Sequence, residues 1–124
     1  MTAFADQLWE DAGAPLCDEI FGVSVVLRRA GCNSGPFTAI GENVDYQISD
    51  SEGFATSFTS RDYTFAVDDV ELNGEVTEPR AGDHIAETIN GTEQVFEIEK
   101  LGTLPAVNLL PGGFRWKVHT KRVA

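Results

Sequence analysis

The chain has 124 residues, a length usual for one domain and too short for two domains with separate cores. It is 42% hydrophobic and 23% charged, a composition typical of a folded globular protein. The formal net charge of -11 argues against a nucleic-acid-binding protein, because binding to phosphate depends on clustered Lys and Arg.

The charge is unevenly distributed along the chain. All 20 acidic residues fall in residues 1–99 beside only four arginines, which gives a net charge of −16 there. Residues 100–124 contain no acid and carry +5, from Lys100, Arg115, Lys117, Lys121 and Arg122. These opposite charges either pair across the fold or let the basic segment meet an acidic partner surface.

Two cysteines, Cys17 and Cys32, match no zinc or redox spacing. A disulfide between them stays open as an alternative to two reduced thiols. The chain begins MTAFADQLWED, with acids where a secretory signal carries basic residues, and no run approaches the about 20 apolar residues of a membrane span. We therefore expect a protein made in the cytoplasm, with no membrane association.

Residues 1–22 are predicted to be a helical segment. Phe4, Leu8 and Trp9 recur at helical spacing, and Pro15 divides the segment in two. The apolar stripe has two interpretations, which are packing within the subunit and anchoring to another subunit. We favour packing within the subunit, because exposed apolar patches are uncommon in stable monomers.

Residues 23–124 are predicted to form a small antiparallel β-barrel or sandwich of six to seven strands. Alternating apolar and polar residues predict short strands, which are 23–29, 37–40, 44–48, 54–67, 84–88, 94–99 and 114–121. The apolar period slips between Phe58 and Tyr63, which predicts a β-bulge near residues 60–62. Residues 68–72 are predicted to form one helical turn, Asn90-Gly91 a hairpin turn, and 101–113 a long loop.

The final strand alternates basic residues with apolar ones. Arg115, Lys117, His119 and Lys121 are predicted to line a solvated face, while Phe114, Trp116 and Val118 face inward. Because Trp9 is predicted on a helix and Trp116 faces inward, a stand-alone binding module with an exposed aromatic row, for example for carbohydrate, is the less favoured alternative.

No motif for catalysis, nucleotide binding or metal binding stands out. A thiol dyad of Cys17 or Cys32 with His84 or His119 is conceivable for any chain with two of each residue. The turn around Gly82 and Asp83 is faintly like a cupin metal motif, but two histidines in the whole chain are too few. We expect a turn entering a strand, no enzyme activity and no cofactor.

Three short motifs carry a family resemblance: Ser-Arg-Asp-Tyr at 60–63, Glu-Pro-Arg-Ala-Gly-Asp-His-Ile at 78–85, and Val-His-Thr-Lys at 118–121. In their order along nearly the whole chain, they resemble the small head–tail joining proteins of long-tailed bacteriophages and prophages, of the stopper or tail-attachment kind. The resemblance implies a structural virion protein at the neck. It implies a ring, usually of six copies, between the portal or adaptor and the tail-tube or tail-terminator proteins.

The resemblance also implies that an N-terminal segment and one long loop, either 49–60 or 101–113, take part in assembly. Adaptor and tail-terminator roles in the same neck stay open, and DNA passes through such rings without specific binding. The candidate interface residues are Phe4, Leu8, Trp9, Asp50, Glu52, Phe54, Leu104, Leu109, Arg115, Lys117 and Lys121.

Overall fold

A computed structural model of the chain describes residues 22–49 and 52–124, which are built almost entirely from antiparallel β-strands and turns. The strands are β1 (Gly22–Arg29), β2 (Cys32–Asn33), β3 (Phe37–Ser49), β4 (Ala55–Ala66), β5 (Glu71–Leu72), β6 (Glu75–Val76), β7 (His84–Ile89), β8 (Thr92–Ile98), β9 (Val107–Leu109), β10 (Arg115–Val118) and β11 (Thr120–Arg122). The prediction of a mainly β fold is confirmed. The helical segment predicted over residues 1–22 lies outside the described residues, apart from Gly22, which begins β1.

One sheet contains nine of the strands in the order β11-β8-β7-β1-β3-β4-β10-β9, with β2 beside β1, and β5 and β6 form a separate pair. Strands β10 and β11 are separated only by His119, yet β10 pairs with β4 and β11 pairs with β8. Within one residue the chain therefore passes from beside β4 to beside β8, which lie far apart in the strand order. This connection brings the two ends of the sheet together, so the sheet curls. No hydrogen-bonded ladder joins β4 to β11 among the described residues, so the predicted closed sheet is wrong.

The core lies inside this curl. Its fully buried side chains alternate along the central strands and include Val25, Leu27, Tyr63, Phe65, Ile85, Ile98 and Val118. The rings of Tyr63 and Phe96 meet edge to face with centroids 5.9 Å apart. Each such large apolar side chain contributes about 1.5–3 kcal/mol on burial, so this inner face dominates the stability of the sheet.

The β3–β4 hairpin is longer and more regular than its sequence predicts. Its register runs without interruption from Ile40 opposite Thr64 to Ser49 opposite Ala55. The predicted bulge near residues 60–62 is therefore wrong, and so is the division of β3 into separate strands at 37–40 and 44–48. The apolar period slips because β4 is buried on both faces there: Ser60 and Asp62 are buried on one face and Tyr63 and Phe65 on the other.

Tight turns of the hairpin type join several strands. Asn90 and Gly91 both have positive φ, 51° and 80°, as a type I′ turn requires, and the hairpin predicted there is confirmed. Asn73 and Gly74, with φ of 54° and 79°, form a second turn of this type between β5 and β6. The helical turn predicted over residues 68–72 is therefore wrong, because its last two residues form β5.

The turn before β7 is held by Asp83, whose side chain is buried. Its carboxylate accepts the Arg80 backbone N–H at 2.8 Å and two hydrogen bonds from the Arg29 guanidinium, at 2.8 and 2.7 Å. Gly82 has a φ of 94°, which suits the third position of a type II turn. This confirms the predicted turn and gives Asp83 a structural role in joining it to β1.

Replacing Asp83 with Ala should lower the free energy of unfolding by about 2–3 kcal/mol, because a mostly buried guanidinium and a turn N–H lose their acceptor. Urea unfolding followed by circular dichroism measures this loss. The matched control is Glu93→Ala, which breaks the exposed Arg28–Glu93 pair at 3.0 Å and should cost less than about 1 kcal/mol. Equal losses in the two variants would contradict the role given to Asp83.

Candidate interaction surfaces

The curl is closed by side chains where β4 and β11 approach each other without a ladder. We call Ser60, Asp62, His119 and Thr120 the polar seam; all four are buried. Asp62 Oδ1 accepts the Ser60 hydroxyl at 2.5 Å and lies 2.8 Å from His119 Nδ1. Thr120 donates its hydroxyl to the Arg61 carbonyl at 2.5 Å and its backbone N–H to Ser60 Oγ at 3.3 Å. These bonds take the place of the missing ladder.

Asp62 also connects the seam to the distal part of the β3–β4 hairpin. Its second oxygen accepts a hydrogen bond from the Tyr46 hydroxyl, and Lys117 Nζ lies 3.8 Å from that oxygen. The Tyr46 ring packs edge to face against His119, with centroids 5.2 Å apart. Burial of Tyr46 and its bond to the Asp62 carboxylate raise the pKa of the tyrosine above its ordinary value.

Burial of Asp62 acts to raise the pKa of its carboxyl group, but the hydrogen bonds from Ser60, Tyr46 and His119 outweigh burial and hold the pKa below the ordinary 3.8. The carboxylate is therefore the form that the fold stabilises. Although Ser, His and Asp lie together here, Ser60 and His119 both bond to Asp62, whereas a hydrolase serine bonds to the histidine. The geometry is that of a structural cluster.

A second polar cluster lies inside the curl. Glu87, itself buried, accepts hydrogen bonds from Arg61 Nε at 2.9 Å, from Arg61 Nη2 at 3.0 Å and from the Tyr63 hydroxyl at 2.7 Å. Burial lowers the pKa of Arg61, but its interactions with Glu87 and Tyr63 together outweigh burial, so the pKa is raised overall. Arg61 also stacks over the Phe96 ring, 5.8 Å from its centroid. The inner face therefore contains one satisfied ion pair.

The distal part of the β3–β4 hairpin extends beyond the rest of the sheet, and we call residues 44–49 and 52–59 the arm. The ladders of β3 with β1 and of β4 with β10 cover only the other end of each strand, so the arm strands pair only with each other. A Cβ on Gly102 would lie 3.2 Å from Ile48 Cδ1, which shows that the loop at 101–104 supports one face of the arm. At the tip, Phe54 is 68% exposed.

The structure separates the candidate interface residues into groups. Phe4, Leu8, Trp9 and Asp50 lie outside the described residues. Glu52, Phe54, Leu109 and Lys121 are exposed, and Leu104 and Lys117 are half-buried. Phe54 and Glu52 lie at the tip of the arm, while Leu109 lies on β9, a strand within the predicted loop 101–113.

The basic face predicted for the last strand is only partly solvated. The predicted strand 114–121 is interrupted at His119, which lies between β10 and β11, and Arg115 and His119 are 4% and 5% exposed. The prediction that these two are solvated is wrong, because Arg115 reaches the Thr64 carbonyl and His119 lies against Tyr46 and Asp62. Nothing in the local sequence indicates that these two side chains are buried, because basic residues at alternate positions of a strand normally indicate a solvent-exposed face. The prediction that Phe114 faces inward is also wrong, because its side chain is exposed.

Within residues 22–49 and 52–124, no cluster of three or more His, Cys, Asp or Glu side chains is arranged to hold a metal ion. In the same part of the chain, no helix has the length and apolar character needed to cross a bilayer. Cys32 Sγ lies 3.5 Å from Asn73 Nδ2, while Cys17 lies outside the described residues.

Asp62→Asn should remove an acid-dependent part of the stability. Because the pKa of Asp62 is lower in the folded state, the carboxylate contributes fully above about pH 5, and this contribution is lost as the pH falls through the folded pKa. Urea unfolding between pH 2.5 and 7 should show the variant less stable at neutral pH, with the gap to the native chain closing in acid. The control is Asp45→Asn, at an exposed carboxylate. The difference in stability between this variant and the native chain should stay the same across the pH range. A constant gap for Asp62→Asn would contradict this account.

A model of the family described as phage head-tail joining protein matches residues 14–124, nearly the whole chain. No curated protein and no solved structure matches the chain. The family is structural rather than enzymatic, and its description implies a component of the virion at the junction of head and tail, in contact with proteins of both. The resemblance carried by the three short motifs is confirmed, and the chain belongs to the phage head-tail joining protein family.

Proposed function

We propose that this protein is a head-completion or stopper subunit, several copies of which form a ring at the neck of the phage particle. The observation that carries the proposal is the arm, which extends beyond the sheet and ends in the exposed Phe54. A single subunit does not need this extension to complete its core. Together with the family membership, it supports a contact that forms only when the subunit meets a neighbour.

The strand order supplies a second surface for such contacts. Strand β9 ends the sheet and pairs only with β10, so its other edge is open in the described part of the chain. Leu109 on this strand is 54% exposed, and Phe114, which follows the next turn, is 38% exposed. An open strand edge with apolar side chains beside it favours association with another chain. We therefore assign Leu109 to the interface and leave Arg115 out, because it is buried.

The charge distribution supports a ring around DNA. Residues 1–99 carry a formal net charge of −16, and such an acidic sequence binds phosphate weakly, which suits a conduit through which DNA moves. The arm tip and the β9 edge are different surfaces, and contacts between unlike surfaces are the type that closes rings. The resemblance implies six copies, with portal or adaptor proteins on one side and tail proteins on the other.

The test uses electron microscopy of DNA-filled heads that lack this protein, mixed with purified full-length chain and with tails. The native chain should form rings at the neck and allow tails to attach. Phe54→Ser should keep its circular dichroism spectrum and its unfolding midpoint, because the side chain is exposed, yet reduce attachment at least about tenfold, as expected for an interface anchor.

Val76→Ser is the matched control, since it also removes an exposed apolar side chain, 54% exposed, but from the β5–β6 pair. It should support tail attachment at the native level. Native chain that never joins heads, or equal activity of the Phe54→Ser and Val76→Ser proteins, would overturn the proposed role of the arm.

A further inference from the structure

One end of the curled sheet is open and forms a cleft, which we call the mouth cleft. It has a volume of about 560 Å³ and is lined by residues that include Asn43, Arg61, Ile89, Phe96, Lys121 and Arg122. The cleft exists because β4 and β11 touch at Ser60, Arg61 and Thr120 and have no ladder beyond that point. It is therefore a direct result of the incomplete closure of the sheet.

The lining of the mouth cleft is apolar inside and basic at the rim. Ile89 and Phe96 supply apolar surface, and the charge of Arg61 is already balanced by Glu87, 2.8 Å away. Lys121 and Arg122 are exposed on β11. An occupant that fits this lining carries apolar side chains and negative charges on one short segment.

The chain enters the sheet beside this cleft. Gly22, the first described residue, pairs with Ile40, three residues before Asn43 on the same strand. On the other side of β1, Val25 pairs with Glu87, and continuing this antiparallel register places Val23 opposite the cleft residue Ile89. The described chain therefore begins at the rim of the mouth cleft, with Gly22.

The composition of residues 1–21 complements the lining. The segment contains five acids, Asp6, Glu10, Asp11, Asp18 and Glu19, and neither Lys nor Arg. It also contains Phe4, Leu8, Trp9, Ile20 and Phe21. We propose that residues 1–21 bind the mouth cleft of their own subunit, with apolar side chains against Ile89 and Phe96 and acids beside Lys121 and Arg122.

Binding within the same subunit follows from where the segment is attached. A short tether gives the segment an effective concentration of about the millimolar range at its own cleft, well above that of other copies in dilute solution. The proposal is independent of the ring, because it concerns the free subunit. It also gives the apolar stripe of residues 1–21 a packing partner inside the subunit.

Disulfide trapping in the full-length chain tests this directly. In a Cys32→Ser background, native Cys17 is combined with Gln94→Cys in the cleft lining, or with Glu42→Cys, an exposed site outside the cleft lining and two residues from the partner of Gly22 on β3. Because both sites lie within reach of Cys17, Gln94→Cys should give an intramolecular disulfide at least about tenfold faster than Glu42→Cys under mild oxidation only if the segment is bound in the cleft. Adding Lys121→Glu and Arg122→Glu should slow the Gln94→Cys reaction several-fold, with an unchanged unfolding midpoint.

Three outcomes would overturn the proposal. Equal trapping rates for the Gln94→Cys and Glu42→Cys chains would show that the segment does not favour the cleft. A disulfide formed mainly between two copies, one with only Cys17 and one with only the cysteine at 94, would identify a second copy as the occupant. Tighter binding of a fluorescent single-stranded DNA to the native chain than to the reversed-charge chain, with unchanged trapping, would identify nucleic acid.

Discussion

The curl of the sheet depends on how the Asp62 carboxylate is satisfied. Removing a carboxylate from water costs several kcal/mol, and the cost is offset only when hydrogen bonds take the place of the lost hydration. Asp62 receives them from β3 through Tyr46, from its own strand through Ser60, and from the residue between β10 and β11 through His119. Both strands of the β3–β4 hairpin and a residue 57 positions further along the chain must therefore meet at one point before the charge can be buried.

This requirement explains why β4 is buried on both faces at its centre. The inner face carries Tyr63 and Phe65 for the core, and the outer face carries Ser60 and Asp62 for the polar seam. A ladder between β4 and β11 would close the sheet with backbone bonds alone. The polar seam instead joins β4 and β11 by side-chain hydrogen bonds at one place. Beyond that place the two strands separate, and the space between them is the mouth cleft.

The sequence predicts the parts of this fold that follow local rules. The mainly β class, the Asn90-Gly91 hairpin and the turn at Gly82-Asp83 depend on period-two alternation and on turn chemistry, and all three are confirmed. The slip near residues 60–62 and the basic residues Arg115 and His119 were misinterpreted because burial of a polar side chain depends on partners far along the chain. Two of the motifs that carry the family resemblance, at 60–63 and 118–121, turn out to meet in the polar seam.

The arm and the seam are parts of the same pair of strands, and this continuity has a mechanical consequence. Ten residue pairs in unbroken register connect the end of the arm with the body, and Tyr46 on the arm bonds directly to Asp62. A load applied near Phe54 along the strand direction passes down the backbones of both strands to the body, where the ladders of β3 with β1 and of β4 with β10 resist it in shear. The same load reaches the seam as a pull on the tyrosine hydroxyl, which makes the joint between arm and body stiff along the strands.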